Sequence, residues 1–327
     1  MATEQFNVGG LLLDRPFKIR RLGHFGLYLD DLEAGLEFYT KVLGFQISDV
    51  IDFQSRAEPG QLDGLGDTKG YFTRYGTDHH AMVLFPKRVR EALDVQKGMT
   101  PGVTINQITW QCGSLREVTE ASSWLAGQGV RIYRSGRDTP GSNWHTYPID
   151  PDQHINELYY GIEQIGWNGR SKPSDMYNRG FRETPELPQM PEYQEVDEAV
   201  AAKVDLLSGH RASEALPAKY DVSGILLPRP FKIVRIGPVR LFVADVEKAL
   251  AFYRDQLGFA GSEGGVYDGH RCIFLRAGTE HHSVALYPIA LREALGLSAH
   301  STMLSFGLQL HDYQQLRDAI SFVEEQG

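Results

Sequence analysis

Residues 11–45 of this 327-residue chain return at 225–259, with 18 of 35 positions identical in an ungapped comparison. A chain that carries one segment twice is constrained to build one structural unit twice. The differences between the copies are equally informative. The first has His24 within an apolar, strand-like run, whereas the second has Pro238, which offers neither a metal-binding side chain nor a backbone N–H. One half therefore reads as equipped for chemistry and the other as disarmed.

Each copy opens with the same grammar. Residues 18–30 read as a strand; Asp30 or Asp31 suits a helix N-cap, Leu32, Leu36, Tyr39 and Leu43 recur at helical spacing, and Gly44 stands where a helix-closing glycine would. With strands expected near 45–51, 69–75 and 79–86, this makes one β-α-β-β-β unit. A second follows, with a strand at 103–112, a helix at 115–128 ending at Gly129, and strands near 130–134, 143–149 and 154–160. The later half restarts the series with a strand near 230–243, a helix at 245–257, strands near 271–277 and 281–287, then a strand at 303–310 and a helix from 312. Beside the second unit the fourth stops at the end of its helix, so the chain is expected to be a shortened form of a longer one.

Between the halves, residues 161–220 break the repeat with five prolines and mixed charge. They read as an extended connector with one helix at 194–207, although Trp167, Tyr177 and Phe181 are too aromatic for a free linker and are expected to pack on the first half. The expected fold class is α+β, with tandem β-α-β-β-β units pairing into curved mixed β-sheet cups. Three segments are expected: a domain at 1–165, the connector at 166–220, and a second domain at 221–327.

Composition narrows the function. A net charge of −9 without a Lys/Arg cluster disfavours nucleic acid, and no stretch has the uninterrupted apolar length of a membrane span. The N-terminus has no signal-peptide pattern, and one cysteine per half, Cys112 and Cys272, fits a reducing cytoplasm better than a disulfide framework. The expected partner is a small molecule.

The helix segment LEAGLEFYTKVLGF at 32–45 and the run DPDQHINELYYG at 150–161 look like recurring motifs of the vicinal oxygen chelate superfamily, which the chain resembles over nearly its whole length. Within it the chain is most similar to the type I extradiol ring-cleavage dioxygenases, themselves four units in two domains. That resemblance implies iron(II) held by a first-strand His of one unit, a His on the first strand of the next, and a Glu on that unit's last strand. Carried over, these positions fall on His24, Gln107 and Glu157. The glutamine is a departure, though some glyoxalase-type members of the superfamily bind metal through glutamine. The resemblance also implies an acid/base histidine at His80 and a catalytic tyrosine at Tyr147, ten residues before Glu157. A further active-site histidine is replaced by Asp138, and His145, on the Tyr147 face by alternation, is the candidate to take its place.

Each residue has a plainer reading. His24 alone is a core histidine, Glu157 a salt-bridged rim residue, Gln107 a polar remnant of a decayed site, Tyr147 a half-buried aromatic, and Asp138 a turn residue. Strand alternation puts Leu22, His24 and Gly26 on one face, and Ile155, Glu157 and Tyr159 on one face of the last strand. The second half has Pro238 and Ser305 at ligand positions and reads as non-catalytic. It nevertheless keeps His281–His282, the counterpart of His79–His80, so that pair also has a structural reading.

The resemblance implies a dioxygenase that opens a catechol-type ring with O2, using iron(II), or Mn(II) or another divalent metal. Two alternatives stand beside it: a non-oxidative glyoxalase-like isomerase or lyase, and a metal-free aromatic-ligand-binding protein. A homo-oligomer in the cytoplasm is expected. Residues 52–68, a loop 12 residues longer than its second-copy counterpart, and the connector stretch 161–182 are the expected pocket wall.

Overall fold

The computed structural model describes residues 5–94, 103–137, 140–176 and 186–327. A short hairpin, β1 (Phe6–Val8) and β2 (Leu11–Leu13), precedes the first unit, which comprises β3 (Arg21–Leu29), α1 (Leu32–Leu36), β4 (Gln46–Asp52), β5 (Lys69–Arg74) and β6 (Met82–Pro86). After α2 (Lys87–Asp94) comes the second unit, with β7 (Ile105–Gln111), α3 (Leu115–Gly127), β8 (Ile132–Arg137), β9 (Trp144–Pro148) and β10 (Asn156–Tyr160). The connector carries α4 (Glu192–Ala201), and a second hairpin, β11 (Tyr220–Val222) and β12 (Ile225–Leu227), opens the other half. That half continues with β13 (Ile233–Val243), α5 (Val246–Leu250), β14 (Ala260–Tyr267), β15 (His270–Arg276), β16 (Val284–Pro288), α6 (Leu291–Ala294), β17 (Met303–Leu310) and α7 (Tyr313–Gln326). Among the described residues, no helix is long and apolar enough to cross a membrane.

Local chemistry explains the repeated helix. The Asp31 side chain accepts from the Ala34 N–H to start α1, the chain widens into a π-helical turn over Glu37–Val42, and Gly44 closes it at φ +84°. The second copy repeats the device with Asp245 as cap and a π-helical turn over Ala251–Gln256.

The first half forms one eight-stranded sheet in the order β4-β5-β6-β3-β7-β10-β9-β8. Its centre is the antiparallel pair β3·β7; outside it β6 runs parallel to β3 and β10 parallel to β7, so the two units repeat each other outward from that pair. The second half has a five-stranded sheet, β14-β15-β16-β13-β17, centred on the equivalent antiparallel pair β13·β17.

The main hydrophobic core runs through both halves, from Phe25 and Trp110 to Val239 and Phe259. Side chains and backbone from both halves meet across the seam. Phe25 stacks on Phe306 with centroids 4.6 Å apart, and Thr104 and Thr302 each donate a backbone N–H to the other's hydroxyl. Arg229 donates to the carbonyls of Thr40 and Lys41, the end of the first helix.

Several expectations need correction. Leu22 and His24 do not share a face: a β-bulge between them breaks the alternation, so Leu22 lines a cleft against Gly237 and Pro238 while His24 points into the first sheet's cavity. The connector helix is Glu192–Ala201 rather than 194–207, because Pro191 starts it and the chain turns at Ala202. Trp167 is fully exposed instead of packing on the first half, and Tyr177 and Phe181 lie outside the described residues. Strand β14 and both short hairpins escaped the sequence reading.

Candidate functional site

A cavity of about 120 Å³ receives side chains from all eight strands of the first sheet: His24, Ile51, Phe72, Phe85, Gln107, Tyr133, Tyr147 and Glu157 represent β3 to β10 in turn. Only a sheet curled on itself brings eight strands to one space. The expected wall is half right. Phe53 and Arg56 of the long loop line the cavity, but nothing described from 161–182 does; Arg90 of α2 also lines it, lying over the Phe53 and Phe85 rings.

Glu157 is the fully buried centre of the site. Its Oε2 lies 3.1 Å from His24 Nε2 and accepts from Gln107 Nε2 at 2.9 Å and Thr109 Oγ1 at 3.0 Å; Oε1 accepts from Asn143 Nδ2 at 2.6 Å and stands 4.0 Å from His145 Nδ1. Burial, the largest influence, pushes this carboxyl's pKa up. The combined pull of His24, His145 and the Thr109 hydroxyl overcomes it and holds the group below its usual value. The carboxylate is thus ionised, buried and surrounded by donors.

The other candidates lie close by. His80 packs against His24 with ring centroids 4.2 Å apart, and burial together with His24 and His79 pushes its pKa well down, so it is a neutral imidazole. Tyr147 and His145 lie 4.4 Å apart by ring centroid, with Arg134 over the Tyr147 ring and its Nη1 at 2.8 Å from His145 Nε2. The structure thus brings His24, Gln107, Glu157, His80, Tyr147 and His145 together, while Asp138 lies outside the described residues. Thr109 and Asn143 were missed. Alternation carried the signal, since Thr109 is two residues beyond Gln107 and Asn143 two before His145.

Three donor atoms meet where a cation is expected. His24 Nε2 and Gln107 Nε2 both lie within hydrogen-bond reach of Glu157 Oε2, so the three side chains that would hold the ion converge on one oxygen. Gln107 turns its NH2 to the carboxylate, but a half-turn of the amide places Oε1 in the same position. The donor set of one imidazole, one carboxylate and one amide oxygen suits a divalent cation. Among the described residues no group of three His, Cys, Asp or Glu side chains is placed to hold a metal, so such a site depends on the glutamine. His24 Nδ1, also buried, has no hydrogen-bond partner among the described residues.

The rest of the DPDQH run serves the fold. Asp150 accepts from the backbone and ring of His154 and from the Tyr253 hydroxyl, and Asp152 accepts from the Ala244 N–H, so this turn docks the second half.

Comparison with known proteins gives a consistent picture. The family model described as the Glyoxalase/Bleomycin resistance protein/Dioxygenase superfamily matches residues 21–158 and 235–327. Biphenyl-2,3-diol 1,2-dioxygenase of Paraburkholderia xenovorans is 36% identical over 155 residues, 46% of this chain and 42% of that protein. The chain spans less than half the length of the curated relatives it matches. Among solved structures, a catechol 2,3-dioxygenase aligns with a TM-score of 0.55 at 17% identity, covering 94% of this chain and 81% of the other. The Mn(II)-bound glyoxalase from Novosphingobium aromaticivorans also aligns at 0.55, with 13% identity and coverage of 95% and 72%.

Proposed function

The chain belongs to the glyoxalase/bleomycin resistance protein/dioxygenase superfamily, and from that premise we propose that its first half is an extradiol-type dioxygenase centre, opening a catechol-type ring with O2. The observation that carries this reading is the meeting of His24, Gln107 and Glu157 around one carboxylate oxygen at the floor of a cavity built from every strand of the sheet. These three would hold a divalent cation, iron(II) foremost and Mn(II) next. When bound, such a metal would supply Lewis-acid and redox chemistry toward a catechol and O2.

The protein's own groups do the remaining work. Phe53, Phe72 and Phe85 form the apolar walls that receive an aromatic ring and exclude water from it. His80, neutral and beside His24, takes a proton from a substrate hydroxyl and later returns it. The Tyr147 hydroxyl donates to oxygen as negative charge develops there, and His145, held by Arg134, supports it from the same strand.

A second reading has its own observation. Gln107 in place of a second imidazole gives a harder, weaker donor set, better suited to a metal that only polarises an enolate, as in a non-oxidative glyoxalase-like isomerase or lyase. One experiment separates the two. Protein reconstituted with iron(II) under argon and then given catechol and air should consume one O2 per ring opened, read by oxygen electrode and product absorbance. Full metal occupancy with no oxygen uptake on a panel of catechols would reject the dioxygenase in favour of the second reading.

A further inference from the structure

We infer that Asp49 and His79 are positioning residues that fix the tautomer of His80, presenting its Nε2 lone pair to the cavity. The observation is a line of three side chains leading from the site to the outer strand β4. His80 Nδ1 and His79 Nδ1 are 3.0 Å apart, both rings are buried, and they stand perpendicular with centroids 5.3 Å apart. The far nitrogen of His79, Nε2, is buried without a hydrogen-bond partner among the described residues, and the Asp49 carboxylate faces it at 3.7 Å.

Proton counting does the rest. Where each ring carries a single proton, an Nδ1–Nδ1 contact needs one N–H and one lone pair. If His79 Nδ1 held the proton, its Nε2 lone pair would face the Asp49 carboxylate, negative against negative in a dry place. The reverse arrangement turns His79 Nε2–H toward Asp49 and makes His79 Nδ1 the acceptor. His80 then carries its proton on Nδ1. With Nδ1 taken by His79, the nitrogen that His80 offers to the cavity it lines is Nε2, as a lone pair. The other titratable groups around His79 are Glu163, whose backbone carbonyl accepts the His79 N–H at 2.8 Å, and His210.

The pair is clamped as well as bonded. A side chain at Gly141, φ +87°, would put its Cβ 2.8 Å from His80 Cε1 and 2.9 Å from Nδ1, so bare backbone presses on the ring and Phe72 meets it edge-on from another side. The second half holds the same device at the same positions: Glu263 on β14, His281 and His282, with His281 Nε2 at 2.9 Å from Glu263 and the two Nδ1 atoms at 2.8 Å. There the acid reaches a true hydrogen bond, which requires the N–H on His281 Nε2. The acid–histidine–histidine order is therefore a feature of the unit, and the first half places it beside His24.

Long-range 1H–15N spectra of the full chain, labelled at histidine and recorded with and without diamagnetic Zn(II), read the tautomer directly. His80 should appear protonated at Nδ1 and bare at Nε2. Asp49→Asn should move at least about half of that population to the other tautomer, Asp49→Glu should preserve it, and Glu263→Gln should leave it unchanged. A wild-type His80 protonated at Nε2, or a tautomer indifferent to Asp49→Asn, overturns the inference. The catalytic consequence rests on the dioxygenase reading: with catechol, Asp49→Asn should lower kcat at least about 10-fold at unchanged KM, and Asp49→Glu should restore it. A raised KM at unchanged kcat would show a merely structural role and overturn the positioning claim. If wild type shows the expected tautomer yet opens no catechol, the dioxygenase reading fails and the tautomer assignment stands.

Discussion

The two halves use one scaffold, and what separates them is concentrated in the central strand pair. In the first, His24 and Gln107 contact the buried carboxylate of Glu157 and Gly26 pairs with Gln107 across the strands; in the second, the equivalent positions are Pro238, Ser305 and Arg240, and the Arg240 guanidinium donates to the Ser305 hydroxyl at 2.9 Å. Features outside that patch persist. The Arg21–Asp78 pair, 2.5 Å, reappears as Arg235–Glu280, 3.3 Å, and the acid–histidine–histidine line occurs in both. Duplication thus separates what the unit needs to fold from what one copy uses. A tethered guanidinium lines the second copy's cleft of about 230 Å³, where the first lines its cavity of about 120 Å³ with potential ligands.

The largest test of this contrast is metal retention. Glu157→Gln and His24→Ala should each reduce bound iron by about 10-fold or more, since the first trades the one anionic donor for a neutral amide and the second deletes a donor, with far-ultraviolet circular dichroism unchanged. Pro238→His, which restores only one donor to the second half, should add no metal to the stoichiometry found by elemental analysis. Gln107→His should raise iron affinity. Equal metal content in wild type and Glu157→Gln would erase the proposed difference between the copies.

The seam allows a smaller test, because its two equivalent arginines are not equally engaged. Arg229 is buried and donates to two carbonyls at the end of the first helix and to Glu214, whereas Arg15 pairs with the exposed Asp14 and its buried Nε has no hydrogen-bond partner among the described residues. Arg229→Ala strands two helix-terminal carbonyls and should cost about 2–3 kcal/mol; Arg15→Ala should cost clearly less. Urea unfolding of both variants gives the comparison, and equal losses would mean that the seam is energetically symmetric.

How much of this was legible in the sequence follows from what is local and what is not. The repeat, the helix with its Asp31 cap and Gly44 stop, and most strands are local patterns, and they lie where those patterns put them. The gathering of His24, Gln107, Glu157, His80, Tyr147 and His145 follows from the family resemblance together with alternation. The β3 bulge does not follow, because a one-residue slip is decided by pairing with β7 and leaves Leu22 on the opposite side from His24. Strand β14, AGSEGGVY, has too many glycines to show an alternating pattern and exists because β15 pairs with it. The α2 side of the cavity was equally hidden: Arg90 reaches Phe53 and Phe85 across the fold, a contact that no spacing encodes.

The smallest effect sharpens the comparison at the retained ion pair. Burial is the largest single influence on Glu280 and pushes its pKa up, but the Ser283 hydroxyl, the N–H groups of its own turn and Arg235 together bring it down to about 2. A carboxyl depressed in the folded state binds its proton more readily when unfolded. Its contribution is therefore complete above the ordinary glutamate range and fades as pH falls from about 4.5 toward 2. Because the group is partly solvated, that contribution should be below about 1 kcal/mol. Hydrogen exchange of peptides covering β15 and β16 should accelerate across that interval in wild type, and Glu280→Gln should flatten the dependence there while leaving β5 and β6 of the first half as they were. If the wild-type peptides show no acid limb, Glu280 stabilises the turn no more than a neutral side chain would, and the retained pair is a relic of duplication rather than a requirement of the unit.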